Sequence, residues 1–109
     1  MRQLAVYVND RKAGTLTEQS PNNGYVFAYS ADYVASELPP VSLSLPKRRE
    51  QYWSTSLFPF FTNLLPEGAN RKVICREQRI DEHDFFGMLM ATVGTDMIGA
   101  VNFRRVEDD

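Results

Sequence analysis

The stretch Ser56-Leu-Phe-Pro-Phe-Phe-Thr-Asn-Leu-Leu-Pro-Glu-Gly68 decides how this chain folds. Leu57, Phe60, Phe61, Leu64 and Leu65 recur at i, i+3, i+4, i+7 and i+8, the spacing that lays apolar side chains along one stripe of an α-helix. With Ser56 as N-cap, Pro59 falls in the first turn, where a backbone N–H has no intrahelical partner and its loss costs little. Pro66 ends such a helix, and Glu67-Gly68 turns the chain away. So dense a group of large apolar residues in a small protein belongs to a core rather than to a ligand groove. The expected keystone of the fold is therefore one amphipathic helix.

Outward from it toward the carboxyl end, Asn70 is placed to cap an exposed amphipathic helix in which Val73, Ile74 and Ile80 are apolar among charged residues. Asp81 or Asp84 caps the next helix, whose Phe85, Phe86, Met88, Leu89 and Val93 bury, with Gly94 at its C-terminal left-handed position. Met97 to Phe103 reads as a last strand. Toward the amino end, Lys47 to Thr55 is a polar loop that carries Tyr52 and Trp53. Val41-Ser-Leu-Ser-Leu45 alternates cleanly, with Val41, Leu43 and Leu45 on one face, and predicts a strand closed by Pro46. Before the Pro39-Pro40 pair, Asp32 to Ser36 forms a short helical turn.

The amino-terminal third predicts a meander. Leu4, Val6 and Val8 alternate against Ala5 and Tyr7, a polar turn follows at Asn9 to Lys12, and Ala13 to Glu18 returns as a hairpin strand weakened by Gly14. Pro21-Asn-Asn-Gly24 turns again into Tyr25, Phe27 and Tyr29 on one face. Strands first, helices later and a returning terminal strand spell α+β: a small antiparallel sheet with about three helices on one side. Residues 1–109 make a single domain without repeat or linker.

Composition narrows the function. The chain has 109 residues, 43% of them hydrophobic and 24% charged, enough for one modest core and too few for most complete cofactor enzymes. A formal net charge of −2 gives no overall drive toward nucleic acid or an anionic membrane. The lone cysteine, Cys75, excludes an intrachain disulfide, and with one histidine it makes no zinc site, which suits a reducing cytosol. No apolar run approaches the roughly 18 residues of a membrane span, and Met1-Arg-Gln-Leu4 lacks the apolar region of a signal peptide. The expected location is the cytoplasm.

Each candidate for chemistry has a plainer structural role. Asp84-Phe-Phe-Gly87 resembles the kinase Asp-Phe-Gly metal motif but has one residue too many and lies in a helical pattern, so cap and core are expected of it. His83 sits beside acids at a helix start, where solvation or capping accounts for it. Cys75 has basic neighbours in sequence yet no paired imidazole or second thiol. Asp81, Glu82 and Asp84 are the acids that a helix start favours. Ser42 and Ser44 have no base to activate them. Lys47-Arg48-Arg49 is a short basic run, ordinarily a solvated loop, with nucleic-acid contact the lesser reading.

Pro40-Val-Ser-Leu-Ser-Leu-Pro46, then Phe60-Phe-Thr-Asn-Leu-Leu-Pro-Glu-Gly68, then Asp84-Phe-Phe-Gly-Met-Leu89 and Gly94-Thr-Asp-Met-Ile-Gly-Ala-Val101 together resemble the amino-terminal subdomain of HipA-type toxin kinases. The match runs from Leu4 to about Phe103. In such kinases the nucleotide-binding and catalytic regions follow this subdomain. None of their parts, a triphosphate cradle, positioned lysine, metal-binding acids and base, is assembled here. Chains of this extent are similar to the HipS-like antitoxin of split HipBST systems. The resemblance implies a non-catalytic inhibitor without cofactor or metal, which binds a HipT-type serine/threonine kinase beside a HipB-like DNA-binding protein and does not itself bind DNA. Two other functions fit the resemblance less closely, a structural subdomain within an intact HipA-like kinase and a DNA-contacting accessory subunit.

An inhibitor of that kind needs aromatic anchors on its surface. Trp53, in a polar basic loop where apolar patterning does not demand it, is the expected anchor, with Tyr52 in support and Arg48 and Arg49 placed to meet acidic groups. The alternative is that Trp53 folds back over Phe60 and Phe61 as a lid on the core.

Overall fold

Nine elements make up the domain in the computed structural model, which describes residues 1–20, 23–65, 68–91, 93 and 101–106. In order they are β1 (Arg2–Val8), β2 (Arg11–Ser20), β3 (Asn23–Tyr29), α1 (Ala31–Ala35), β4 (Tyr52–Ser54), α2 (Pro59–Thr62), α3 (Gly68–Gln78), α4 (Phe85–Ala91) and β5 (Val101–Arg105). The strands form one antiparallel sheet in the order β4-β3-β2-β1-β5, and the helices cover one face of it. This is the expected α+β architecture.

Alternation decides which side chains meet the helices. Leu4 pairs with Leu16 and Leu16 with Phe27, while Val6 pairs with Phe103, and all five are buried on the covered face. Phe61 of α2 sits at their centre, its ring 5.6 Å from that of Phe27 and 6.0 Å from that of Phe103. Phe86 of α4 stacks on Tyr25 at 6.4 Å, and Tyr33 of α1 lies parallel to Tyr29 at 5.9 Å. Full burial of each phenylalanine contributes about 1.5–3 kcal/mol.

The first hairpin closes through Asn9 and Asp10, both at positive φ (50° and 66°), a conformation that asparagine and aspartate tolerate and that matches strand twist. A bulge at Val6/Tyr7 leaves Ala13 out of the ladder, and its carbonyl accepts the Ser30 N–H at 2.8 Å at the entrance to α1. The turn at Pro21 and Asn22, the helix stop at Pro66, the Gly94 cap and the Met97–Ala100 part of the expected last strand lie outside the described residues.

Four expectations need correction. The keystone is one short turn of helix capped by Phe58, with Pro59 as its first residue and Ser56 outside it. Beyond Thr62 the chain continues in tighter turns, Leu64 N–H to Phe61 and Leu65 N–H to Thr62. Leu57, Phe61 and Leu65 still bury, because spacing fixes a face even where the helix does not persist. Asn70 lies inside α3, which begins at Gly68, and Cys75 is its buried residue while Val73 and Ile74 are exposed. Lys47 to Thr55 is not all loop, since Tyr52–Ser54 forms edge strand β4.

Val41 to Leu45, the fourth, is a tight turn and no sheet strand. Leu45 N–H bonds Ser42 at 3.0 Å, so Val41 and Leu45 bury while Leu43 points outward. Prolines on both sides deny the segment ladder donors, and the backbone closes on itself instead.

Helix α3 ends in a left-handed residue that is not glycine. Arg79 has φ 56°, with its own N–H directed to Arg76 at 3.4 Å and the next, from Ile80, to Cys75 at 2.8 Å. This is the Schellman closure, in which the αL position favours glycine. Arg79→Gly is expected to raise stability by about 0.5–1 kcal/mol, read as a higher urea midpoint at unchanged slope.

Candidate interaction surface

Strand β4 is short because only Tyr52, Trp53 and Ser54 find partners, opposite Phe27, Val26 and Tyr25. Successive side chains point to opposite faces. Tyr52 turns inward against the core, donates its hydroxyl to the Pro46 carbonyl at 2.6 Å and lies under the Arg48 guanidinium at 3.7 Å. Trp53 therefore turns outward onto the face that no helix covers. It is 59% exposed, and its indole N–H reaches Gln19 Oε1 at 3.3 Å. It is not a lid on the core: Phe60 and Phe61 pack edge to face at 5.1 Å on the other side of the sheet. Across the open face the row continues from Trp53 to Val26, Thr17 and Gln3.

The basic run divides three ways. Lys47 donates to the Ser36 carbonyl at 2.6 Å and lies over the Tyr33 ring, so it caps the C-terminal end of α1. Arg48 donates to the carbonyls of Glu50 and Gln51 while stacked on Tyr52. Arg49 is exposed at an open cleft shared with Tyr29, Ala31, Val34 and Ala35. Among the described residues neither Arg48 nor Arg49 pairs with a carboxylate. Three cations facing different ways do not make the continuous stripe that a phosphate backbone requires.

Other titratable groups gather at a place that residue order did not announce. Glu18, 2% exposed, occupies the inward register of β2 after Leu16 and directly opposite Arg2. Arg2 donates Nε to Glu18 at 2.7 Å and both terminal nitrogens to Asp84, at 3.1 and 2.8 Å, with Phe86 beneath the guanidinium. The Tyr25 hydroxyl donates to Glu18 at 3.2 Å. Asp84 also N-caps α4, accepting the Gly87 N–H at 3.0 Å. The guanidinium, and secondarily this cap, hold the Asp84 carboxyl below its ordinary range, and the Arg2 pairing raises the guanidinium's own pKa. Burial first, and then the adjacent Glu18, push the Tyr25 phenol up to about 12. A carboxylate in an inward strand position was the signal that could have exposed this cluster from sequence. Both oxygens of Asp84 are engaged, so the Asp84-Phe-Phe-Gly87 segment serves as cap and core.

The remaining candidates separate. Among the described residues no three His, Cys, Asp or Glu side chains gather in a way that could hold a metal. His83 is exposed, its backbone N–H donated to Asp81. Cys75 is buried under α3, and the Ser42 and Ser44 hydroxyls bond each other at 2.9 Å. No helix among the described residues is long and apolar enough to cross a membrane.

Buried polar groups join helix to sheet in this small α+β domain, and an outward tryptophan and two arginines without a carboxylate partner among the described residues lie near one edge. The chain belongs to the HipA N-terminal domain family, whose model matches residues 4–104. It is 36% identical over 104 residues to an uncharacterised protein of Haemophilus influenzae, covering 95% of this chain and 92% of that one. It is 34% identical over 102 residues to the putative kinase Y4mE of Sinorhizobium fredii, covering 93% of this chain but only 24% of the kinase. Among solved structures, the N-terminal domain of HipA toxin superposes with a TM-score of 0.74 at 30% identity, covering 100% of this chain and 96% of that one.

Proposed function

We propose that this chain is a non-catalytic inhibitor, the antitoxin of a split HipBST-type system, which binds a HipT-like serine/threonine kinase in the cytoplasm beside a HipB-like DNA-binding partner. One observation carries it. The same domain makes up nearly all of one relative and about a quarter of another that is named a putative kinase. A domain found in both settings has a kinase body as its natural neighbour, and a separate copy is able to occupy the same place from outside. The contact is assigned to Trp53, with Arg48 and Arg49 meeting carboxylates and Tyr52 holding the edge in shape. The Y4mE relationship equally favours a second function, the N-terminal domain of an intact kinase. Whether the native gene stops after Asp109 and a separate kinase gene adjoins it distinguishes the two.

The test is Trp53→Ala in the purified chain, titrated against a HipA-like kinase that lacks its own copy of this domain, with kinase activity followed in parallel. Trp53 is mostly solvated, so the variant should melt within about 2 °C of the parent. Its affinity should fall about 30-fold or more, with matching loss of inhibition. A folded variant that inhibits normally removes Trp53 from the contact. Parent protein that neither binds nor restrains the kinase removes the antitoxin function itself.

A further inference from the structure

Leu43 is 94% exposed, more than the terminal Met1 at 85%, yet it sits on a turn held at both ends by hydrogen bonds. Val41 and Leu45 on either side are buried. The Tyr29 hydroxyl accepts the Val41 N–H at 3.1 Å and donates to the Leu45 carbonyl, clamping both ends of the turn to β3. Leu45 N–H closes on Ser42 at 3.0 Å, and Ser42 Oγ accepts the Ser44 N–H at 3.2 Å. Among the described residues nothing in this scaffold uses the Leu43 side chain. The turn is shaped without it and displays it.

We propose that the Ser42–Leu45 turn is a docking knob, with Leu43 entering an apolar socket on the kinase body; this rests on the function proposed above. The tip carries no charge and its two hydroxyls bond each other, so the isobutyl group is the main surface that the turn offers a partner. The clamp matters because a turn already fixed in its bound shape loses little conformational entropy on docking. The occupant is argued from the relative in which this domain is 24% of a putative kinase: there the remainder of the chain adjoins the domain and is available to cover what is bare here. The Tyr52 hydroxyl bond to Pro46 ties the segment just after the turn to the strand that carries Trp53, so the knob and the tryptophan belong to one fixed frame.

The full chain with Leu43→Met, Leu43→Ala or Leu43→Asp is titrated calorimetrically against a HipA-like kinase body lacking its own copy of this domain, with melting and sedimentation of each variant alone. All three should melt within about 2 °C of the parent, because the side chain supports nothing in the fold. Affinity should stay within about threefold for Leu43→Met, fall about tenfold for Leu43→Ala and fall on the order of 100-fold for Leu43→Asp, which forces a carboxylate into an apolar socket. Parent-like binding by Leu43→Asp overturns the knob while leaving the function and Trp53 standing. Failure of the parent to bind overturns both. Self-association of the parent that Leu43→Asp abolishes places the socket on a second copy of this chain and overturns the kinase as occupant.

Discussion

Arg2→Ala should lower the stability of the domain by about 2–3 kcal/mol, a fall in melting temperature on the order of 10 °C. The guanidinium joins β1, the buried Glu18 of β2 and the capping Asp84 of α4 through three hydrogen bonds, so its loss withdraws one cation from two carboxylates at once. Removing one member of a buried ionic group leaves the other desolvated and uncompensated, which costs more than the intact group contributes. Arg2 is one-third exposed, and that places the effect toward the low end of the range for fully buried pairs.

The same cluster gives an acid limb whose sign is fixed. Asp84 is held below its ordinary value of 3.8 in the folded state. Its stabilisation is therefore complete above that value, declines as the pH falls through it and is gone once the pH has passed the lower folded value. Asp84→Asn keeps a good capping side chain and abolishes this part of the acid dependence, whereas Arg2→Ala diminishes it. Urea midpoints between pH 2 and 6 measure both, and an acid limb unaltered in either variant, or Arg2→Ala melting with the parent, would show that the cluster does not hold α4 to the sheet.

Gly14→Ala is expected to cost about 3 kcal/mol or more. A Cβ at this position would stand 2.3 Å from the Ala28 carbonyl oxygen and 3.0 Å from the Tyr29 Cα, both of them backbone of the neighbouring strand. Neither atom moves without displacing β3 from β2. Because the Tyr29 hydroxyl clamps the Ser42–Leu45 turn, the displacement should propagate there. Hydrogen exchange at the Val41 and Leu45 amides should accelerate along with the drop in melting temperature. A folded Gly14→Ala variant of parental stability would mean that β2 and β3 accommodate a methyl group the described geometry excludes.

Period-two alternation in residues 4–8 and 25–29 made two strands legible, because a half-buried strand cannot change register by one residue without reversing every side chain. The helix over 85–91 was legible from spacing and its Asp84 cap, and the one over 68–78 from its pattern alone, since its start fell at Gly68 and not after Asn70. Two failures share a cause. Val41 to Leu45 alternates like a strand, and Leu57 to Leu65 repeats like a helix, but periodicity reports which side chains share a face and not whether backbone partners exist. Prolines at 40, 46 and 59 limited those partners, and the segments settled into a clamped turn and a single helical turn.

At the candidate surface, Trp53 was recognisable as an aromatic without a place in the apolar pattern. Its direction was not, since that depends on the pairing of β4 with β3 and hence on residues distant in sequence. Glu18, Arg2 and Asp84 are likewise 16 and 82 positions apart along the chain, a separation that only the folded sheet closes. By itself the sequence determined composition, patterning and family, which are properties of neighbours along the chain. Tertiary structure alone decided which polar groups bury each other and which apolar ones stay in water, because both follow from distances that chain order does not contain.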